Sequence, residues 1–394
     1  MDTQNTPVHL KLWHREFWML TLANLLLTMS VYMQIPLIPF VMGQDGYSHV
    51  EIGVVMGAYG IGLFLLGGFC SYWVNRYRRS RVCHFSIVAM VACVAVLYRL
   101  YTLPDNNIDF WILVVLRLVF GAVFGLAQMV LSSTLIVDVC ESFQRTEANH
   151  VTGWFARFGM ALGPLLVLVL GQYTNVLTIV MVAAGLPALA YLLIKSVNFP
   201  FRTPSEVVRF YSLDRFFLPE GWLLFLNLFL ITAVLGMMLT LAESSVIYYA
   251  MLGAGFVLAL LAERLIFQDA DLESEAVTGL ILMAAALLMD MFSTLPTVRY
   301  MVPLLIGAGA GIIGSRFLLF FIKLSHHCQR GTSQSTFFLG WESGLSAGLF
   351  LGHLFYAYSD NRQLLLLLCL GLVLLCLLMY NLFTHKWYMA HKNR

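Results

Sequence analysis

The chain has 394 residues, of which 60% are hydrophobic and 11% charged, whereas soluble domains have roughly 45–50% and 25%. A soluble fold has too little interior to cover that much apolar surface, so we expect lipid to be the solvent. The formal net charge is +2, and the Lys and Arg are spread over many short loops. This distribution excludes a basic stripe for nucleic acid, so no nucleic-acid partner is expected.

Apolar runs of the length that a helix needs to cross a membrane, about 20 residues, follow one another along the chain. We expect twelve spans, numbered 1–12 in chain order, near residues 16–38, 50–73, 82–102, 109–137, 150–172, 174–195, 221–241, 244–264, 275–294, 298–323, 333–357 and 362–384. The longest polar interruption is the linker 196–220, which follows span 6. The predicted fold is therefore an all-α polytopic membrane protein with a first six-helix half, 1–195, and a second, 221–394.

The positive charges of the short loops predict the orientation. With the N-terminus inside, 17 of the 23 Lys and Arg fall in the inner segments. We therefore expect both termini in the cytoplasm and the protein in the cytoplasmic (inner) cell membrane, surrounded by lipid. We further expect a monomer.

The two halves resemble each other in sequence, as expected for a duplicated unit whose copies are related by an axis along the membrane normal. Three matches occur in order and at nearly constant spacing. They are Gly121-Ala122-x-x-Gly125 with Gly307-Ala308-x-x-Gly311 (307 − 121 = 186), Gly153-Trp154 with Gly340-Trp341 (340 − 153 = 187), and Arg145 with Arg330 (330 − 145 = 185).

With this plan, the chain resembles the major facilitator superfamily over essentially its whole length. After span 2, Asn75-Arg76-Tyr77-Arg78-Arg79 stands where that family carries a Gly-x-x-x-Asp-Arg-x-Gly-Arg-Arg signature, with Asn in place of the acidic residue. In span 4, Arg117-x-x-Phe120-Gly121 is similar to the family's Arg-x-x-Gln-Gly pattern. In span 5, Gly159-x-x-x-Gly163-Pro164 is similar to the Gly-Pro signature that is commonest in exporters, and Arg330-Gly331 matches a recurring Arg-Gly before span 11.

These motifs imply residues that control the movement of the halves. Basic side chains at an inner loop can bind carboxylates or helix C-termini through contacts that break when the halves rotate, and the nearest acidic residues are Asp138 and Glu141. Gly and Pro let helices approach closely and bend. The gate candidates are Asn75, Arg76, Arg78, Arg79, Asp138, Arg145, Arg330, Gly163 and Pro164.

Four ionisable residues fall within the predicted spans: Arg117, Arg157, Arg316 and Glu342. A charge at membrane depth is costly unless it has a partner, a cavity or a function. Arg316 and Glu342 lie at similar depths, roughly 10 Å and roughly 13 Å from the inner side at 1.5 Å per residue. We expect them to pair, either as a substrate or proton site or as a structural ion pair.

Arg117 is expected to serve the coupling mechanism. Its equivalent at an offset of 186 is Pro303, so the repeated architecture does not require the charge. Since Arg stays protonated, it would act on the proton affinity of a neighbouring carboxylate. Further candidates for the substrate or proton pathway are His353, which shares a helical face with Glu342, and Asn24, Asn227 and Gln128, for which interhelical hydrogen bonding is the alternative.

The predicted function is secondary active transport of a small-molecule substrate by alternating access. Intramembrane Glu, Arg and His favour H⁺ as the coupling ion, and no ATP-binding motif is present. The Gly163-Pro164 motif favours export. The alternatives are an importer of a sugar, organic acid or metallophore with the same fold, and a non-transporting sensor or scaffold. We expect no catalytic residues, no cofactor and no metal site, and we interpret His326-His327-Cys328 as a solvated loop.

Overall fold

The computed structural model describes residues 11–101, 109–199, 209–242, 245–267, 271–326, 329–359 and 361–392. Over these residues the chain is helical, without a strand. Eleven helical segments in this part of the chain are long and apolar enough to cross a membrane. They are spans 1–10 and 12: Arg15–Gln44, His49–Arg76, Arg79–Leu100, Phe110–Asp138, Arg145–Leu170, Val176–Lys195, Pro219–Thr240, Val246–Leu265, Leu272–Phe292, Val298–Leu324 and Arg362–His391.

Span 11 is a helix of 29 residues, Arg330–Tyr358, that is long enough to cross but more polar than the others. It packs against span 7 on one side and span 2 on another, and most side chains between Thr332 and His353 are buried in protein. A helix that meets other helices instead of lipid has no need of an apolar surface all round. The predicted twelve-helix all-α fold is confirmed.

Three spans contain irregular turns that hydropathy did not predict. A 3₁₀ turn at Gly67–Phe69 interrupts span 2, and π turns occur at Leu131–Leu135 in span 4 and at Tyr380–Thr384 in span 12. Such turns are frequent at functional sites. Span 9 begins at Leu272 rather than 275, so Glu275 lies inside the helix.

Helix contacts repeat between the two sets of six spans. Spans 1–5, 1–6, 2–4, 3–4 and 3–6 pack together, and so do their counterparts 7–11, 7–12, 8–10, 9–10 and 9–12. Two large apolar clusters form the core, one mainly in each set. Between the sets, span 2 packs on span 11 and span 5 on span 8. The residue boundaries of the halves, 1–195 and 221–394, stay a prediction.

The repeated glycine motif has one structural role in both sets. A Cβ atom on Gly121 would overlap the backbone oxygen of Tyr59 in span 2, and one on Gly307 would overlap the backbone oxygen of Leu252 in span 8. Each glycine lets two helices meet backbone to backbone. The match at an offset of 186 therefore joins equivalent positions.

The span 5 glycines give a second register. A Cβ atom on Gly159 would meet the hydroxyl of Thr28, and one on Gly344 would meet the hydroxyl of Thr232, so these positions are equivalent at 344 − 159 = 185. Arg145 and Arg330 share that offset. The predicted match of Gly153-Trp154 with Gly340-Trp341, at an offset of 187, is wrong by two residues. It aligns identical residue types that lie on different faces of the two helices.

Gly163 lies one turn beyond Gly159 and approaches the backbone of span 1, where an added Cβ would lie 2.6 Å from the oxygen of Met29. Its counterpart, Gly348, approaches the backbone of Ala233 in span 7 in the same way. Pro164 lies inside span 5, which continues through it. The Gly-Pro motif thus has a packing role that the second set of helices shares.

We expect Gly307→Ala to lower the midpoint of thermal unfolding in detergent, because overpacking a tight contact costs about 1–3 kcal/mol. Gly371→Ala is the matched control: it adds the same methyl group inside span 12, where nothing lies within 4 Å. The control should melt at or above the wild-type temperature, since Ala favours a helix over Gly. Equal melting of the two variants would contradict the close approach of spans 8 and 10.

Candidate functional site

Glu342 lies in span 11 with only 3% of its surface exposed. Its two carboxylate oxygens accept hydrogen bonds from two tyrosine hydroxyls of the first set of helices. Tyr32 of span 1 donates to Oε1, and Tyr59 of span 2 donates to Oε2 at 2.8 Å. Glu342 therefore joins span 11 to spans 1 and 2 at mid-depth.

From Glu342 to the outer end, spans 2 and 11 form a continuous contact, which we call the seam. The inner and outer sides are named here after the predicted orientation. The hydroxyl of Ser346 accepts a hydrogen bond from the backbone nitrogen of Gly60 at 3.0 Å and donates to the backbone oxygen of Met56 at 2.8 Å. Phe350 packs on Gly57 one turn further out. The seam closes the space between these helices on the outer side.

His353 lies at the outer end of the seam, against Gly53. It is 9% exposed, its ring stacks on His49 at 6.2 Å between centroids, and its Nδ1 has no hydrogen-bond partner among the described residues. His353 and Glu342 share a helical face, as the sequence predicted. His353 is nevertheless three turns away from the carboxylate and does not contact it.

Arg117 approaches the site through Tyr59. Its guanidinium lies over the Tyr59 ring, 5.1 Å from the centroid, and Nη1 donates a hydrogen bond to Oε1 of Gln34. The sequence predicted a buried partner for Arg117. The partner is an amide and an aromatic ring instead of a carboxylate, and the link to Glu342 runs through the Tyr59 hydroxyl.

A small central cavity of about 50 Å³ lies on the inner side of Glu342, between spans 1, 4, 5 and 11. Pockets for drug-sized ligands measure roughly 300–1,000 Å³, so this cavity is much smaller than such a pocket. It is lined by Asn24, Thr28, Tyr32, Gln128, Ser132, Thr152, Gly153, Ala156, Arg157, Gln334, Phe337, Phe338, Trp341 and Glu342.

Arg157 lines the same cavity as Glu342. It is 3% exposed, and its guanidinium lies 4.5 Å from the centroid of Trp154. Its Nε, Nη1 and Nη2 atoms all lack a hydrogen-bond partner among the described residues. Gly314 of span 10 leaves the room for this side chain, because a Cβ there would lie 2.6 Å from the Arg157 Nε and 2.7 Å from the Trp341 ring.

Arg157 and Glu342 occupy equivalent positions of the duplicated unit. Their separation is 342 − 157 = 185, which is the offset that the packing of Gly159 and Gly344 defines. One position of the repeat thus carries a cation in span 5 and a carboxylate in span 11. The two side chains line one cavity without forming a hydrogen bond to each other.

The expected pairing of Arg316 with Glu342 is wrong. Arg316 donates from Nε to Glu275 of span 9, and its Nη2 lies 3.8 Å from Glu263 of span 8. Glu263 also accepts from Ser315 at 2.7 Å and lies 2.9 Å from His150 Nε2 of span 5. The depths of the two residues agreed, but Arg316 points toward spans 8 and 9, away from span 11.

Asn24 and Asn227 connect neighbouring helices. The Asn24 amide donates to the backbone oxygen of Thr152 in span 5 at 3.2 Å, and the Asn227 amide donates to the Thr384 hydroxyl of span 12 at 2.7 Å. Asn24 also lines the central cavity, and so does Gln128, whose Nε2 has no partner among the described residues. Asn227 lies outside the lining of that cavity.

On the inner side, a vestibule of about 790 Å³ lies between the ends of spans 4, 5 and 11. Arg79 Nη1 donates to both oxygens of Asp138 at its rim, at 2.8 and 2.6 Å, so the predicted contact between a basic loop residue and Asp138 is confirmed. The charged residues that line the vestibule are Arg79, Arg145, Arg215, Arg330, Asp138 and Asp214. Burial lowers the pKa of Arg215, and nearby Arg79 acts in the same direction.

The other residues of the predicted basic motif face away from the vestibule. Asn75 donates to the Ser71 hydroxyl at 3.3 Å, and the Arg76 guanidinium lies 5.8 Å from the Tyr72 ring centroid. Arg76 and Arg78 are exposed at the inner end of span 2. Asn75, which stands in the place of the family's acidic residue, has an amide side chain and no carboxylate.

Residues 209–218 of the linker cross the inner end of the molecule, and we call this segment the strap. Asp214 accepts hydrogen bonds from Ser71 of span 2 at 3.0 Å and from Thr332 of span 11 at 3.3 Å. The Leu218 backbone nitrogen donates to the Thr336 hydroxyl at 2.8 Å. The strap therefore joins spans 2 and 11 at the end opposite to the seam.

Sequence reasoning did not find several residues of the site. Tyr32 and Tyr59 stand in apolar helices, where tyrosines are common, and Glu275 was placed at a helix end. The sequence predicts that Arg157 lies within a span but indicates no role for it. The offset of 185 applied to Glu342 was the available signal, because it points directly to Arg157.

Residues 20–386 match a family model described as Major Facilitator Superfamily. The chain is similar in structure to the human organic anion transporter MFSD10 (TETRAN), with a TM-score of 0.68, 16% identity, and 93% of this chain and 98% of that chain covered. It is also similar to a bacterial homologue of the iron transporter ferroportin in an outward-facing state, with a TM-score of 0.65, 17% identity, and 95% and 100% covered. No curated protein sequence matches the chain.

Proposed function

This chain belongs to the major facilitator superfamily of transporters, and we propose that it moves a small solute by alternating access, coupled to protons. The observation that supports the proposal is the carboxylate of Glu342, buried between the two sets of helices and held by hydroxyls of Tyr32 and Tyr59. A group whose charge changes with one proton stands where the two sets must separate.

The proposed coupling follows from hydrogen-bond strength. An ionised carboxylate accepts shorter and stronger hydrogen bonds than a neutral acid does. Loss of a proton from Glu342 therefore tightens its bonds to Tyr32 and Tyr59, and uptake of a proton loosens them. Because these bonds join span 11 to spans 1 and 2, the proton biases an equilibrium between a closed and an open seam.

We assign Arg117 a positioning role in this coupling. Its permanent charge is held by Gln34 and faces the ring of Tyr59, which fixes that ring where its hydroxyl meets Glu342. The contact between cation and ring stabilises this placement. Arg117 acts on the carboxylate through Tyr59 and carries no proton itself.

The finer parts of the proposal are export, a cytoplasmic (inner) membrane location with both termini inside, and a monomer. Export was predicted from Gly163-Pro164, whose packing role is shared by Gly348, so the motif alone gives little support for a direction. Import of a sugar, organic acid or metallophore is the alternative. A sensor or scaffold would keep the fold without moving a solute.

Comparison of metabolites between cells that lack the gene and complemented cells tests the function. We expect one solute to accumulate inside deletion cells if the protein exports it, or to be depleted if the protein imports it. That solute should then cross the membrane of proteoliposomes that contain the purified protein, and it should cross faster with an imposed pH gradient than without one. Equal metabolite profiles in the two strains would contradict transport and favour the sensor or scaffold.

A further inference from the structure

We infer that Arg157 binds the anionic group of the transported solute, and that the solute is an organic anion with a flat apolar body. This inference rests on the proposed transport function and names its substrate class. The inference rests on the surroundings of the Arg157 side chain. Arg157 is 3% exposed and lines the cavity between the two sets of helices. All three nitrogens of its guanidinium lack a hydrogen-bond partner among the described residues.

A guanidinium with its donors unpaired at membrane depth is costly. The contact with Trp154 offsets part of that cost, but an aromatic face cannot accept the five N–H donors that Arg carries in a planar fork. The other three ionisable residues that the sequence analysis places within spans, Arg117, Arg316 and Glu342, each have a hydrogen-bonded partner. Arg157 lacks such a partner among the described residues, and an incoming anion would supply one.

The chemistry of the cavity defines the anion. The fork of Arg matches two oxygens of a carboxylate, sulfonate or phosphate ester. Around it, Trp154, Trp341, Phe337 and Phe338 provide aromatic surfaces that suit a planar apolar group. The unpaired amide nitrogen of Gln128 adds a neutral donor.

The inner vestibule supplies an independent argument for an anion. Four arginines and two aspartates line it, so the vestibule carries a net excess of positive charge, which attracts anions. The vestibule and the central cavity are neighbours along spans 4 and 11: Ser133 and Thr332 line the vestibule, and Ser132 and Gln334 line the cavity. An anion that reaches the vestibule is therefore close to the cavity that Arg157 lines.

Glu342 opposes an anion in the same cavity unless it carries a proton. Binding of the anion to Arg157 and binding of a proton to Glu342 therefore support each other, because each removes a repulsion felt by the other. The equivalent positions 157 and 342 thus form a matched pair, one for the solute and one for the proton.

The test is thermal unfolding of the purified protein in non-ionic detergent with benzoate, benzenesulfonate and phenyl phosphate, each against the uncharged benzamide. A ligand that binds only the folded protein raises its melting temperature. We expect at least one anion to raise the melting temperature of the wild type by a few degrees and benzamide to leave it unchanged. Arg157→Met should abolish this shift, and Arg157→Lys should retain part of it because the charge remains without the fork.

Two controls separate binding from folding. Without ligand, Arg157→Met should melt at or above the wild-type temperature, because the variant removes a buried guanidinium whose nitrogens have no hydrogen-bond partner among the described residues. Arg299→Met removes an exposed charge at the outer end of span 10 and should leave the anion shift unchanged. Each variant is checked for a single symmetric peak in gel filtration.

Three results would overturn the inference: no anion of the series stabilises the wild type, Arg157→Met responds to anions as the wild type does, or Arg157→Met is strongly destabilised without ligand. The measurement needs neither a membrane nor a gradient. Failure of the proton-coupled transport test therefore leaves anion binding to Arg157 measurable, and failure of anion binding leaves coupling through Glu342 intact.

Discussion

Glu342→Gln is expected to abolish the response of the seam to pH. The amide keeps the size of the side chain and accepts a hydrogen bond from one tyrosine, but it cannot gain or lose a proton. Hydrogen bonds to a charged group contribute about 1.5–3 kcal/mol, against about 0.5–1.5 kcal/mol for neutral groups. The wild type should therefore shift its population of open seam by about tenfold or more between a pH at which Glu342 is protonated and a pH at which it is ionised, and the variant by less than about twofold.

The measurement is the distance between spin labels on cysteines placed at Asp45 and Tyr358, which are exposed at the outer ends of spans 1 and 11. The seven native cysteines are replaced first. Six of them are buried and form no disulfide within the described residues, so small apolar replacements should be tolerated. In the wild type we expect longer distances at the lower pH.

Two further variants sharpen the result. Tyr59→Phe keeps the carboxylate and removes one hydrogen bond, so it should open the seam at both pH values and retain part of the response. Asp290→Asn removes a carboxylate that pairs with Arg362 at the outer end, at 2.9 Å, and should respond as the wild type does. Since His49 and His353 remain in every variant, a full pH response in Glu342→Gln would assign the titration to them and reject the carboxylate.

Arg316→Met is expected to produce the largest loss of stability. The change leaves Glu275, whose side chain is 1% exposed, without its cation, and Glu263 loses a charge 3.8 Å away. Removing one partner of a buried ion pair costs about 3–5 kcal/mol because the other charge stays uncompensated. The variant should melt well below the wild type in detergent and give a lower yield.

The double variant Arg316→Met with Glu275→Gln distinguishes a broken pair from a packing defect. Removing both charges should recover much of the lost stability, and the double-mutant cycle then gives the coupling energy. If instead the two single changes simply add, the pair contributes nothing specific. Because Glu342 is untouched, its pH response should survive in the double variant.

The positions of the helices could be predicted from the sequence because lipid imposes a strong rule. Backbone N–H and C=O groups at membrane depth must form their hydrogen bonds within the segment. A long apolar run therefore forms a helix that crosses the membrane. Span 11 was found despite its polar residues because its neighbours in the chain were clear. The twelve predicted segments agree with the structure, apart from shifted ends and the three irregular turns.

The partners of the charged residues could not be predicted in the same way. Counting residues along a helix gives depth but not the direction of a side chain around the helix or the identity of the helix it meets. Arg316 and Glu342 agreed in depth and faced different neighbours. Asp138 was predicted correctly as a partner of the inner loop because short loops restrict both depth and direction.

The role of Arg157 could be predicted neither from its depth in the membrane nor from its neighbours in the chain. Neither depth nor composition distinguishes it from Arg117, and its lack of hydrogen-bond partners among the described residues is visible only when the surrounding helices are in place. Duplication nevertheless put it in register with Glu342. Equivalent positions that carry opposite charges mark the place where the two halves of the repeat have ceased to be interchangeable.

The strap has a consequence for the energetics of opening on the inner side. Because the strap is covalently continuous with span 7, its hydrogen bonds to Ser71, Thr332 and Thr336 re-form at a high effective concentration. The two bonds to the Asp214 carboxylate contribute about 1.5–3 kcal/mol each, and the bond from Leu218 about 0.5–1.5 kcal/mol. We therefore expect the strap to resist opening of the inner side and, as a tether, to speed its closure.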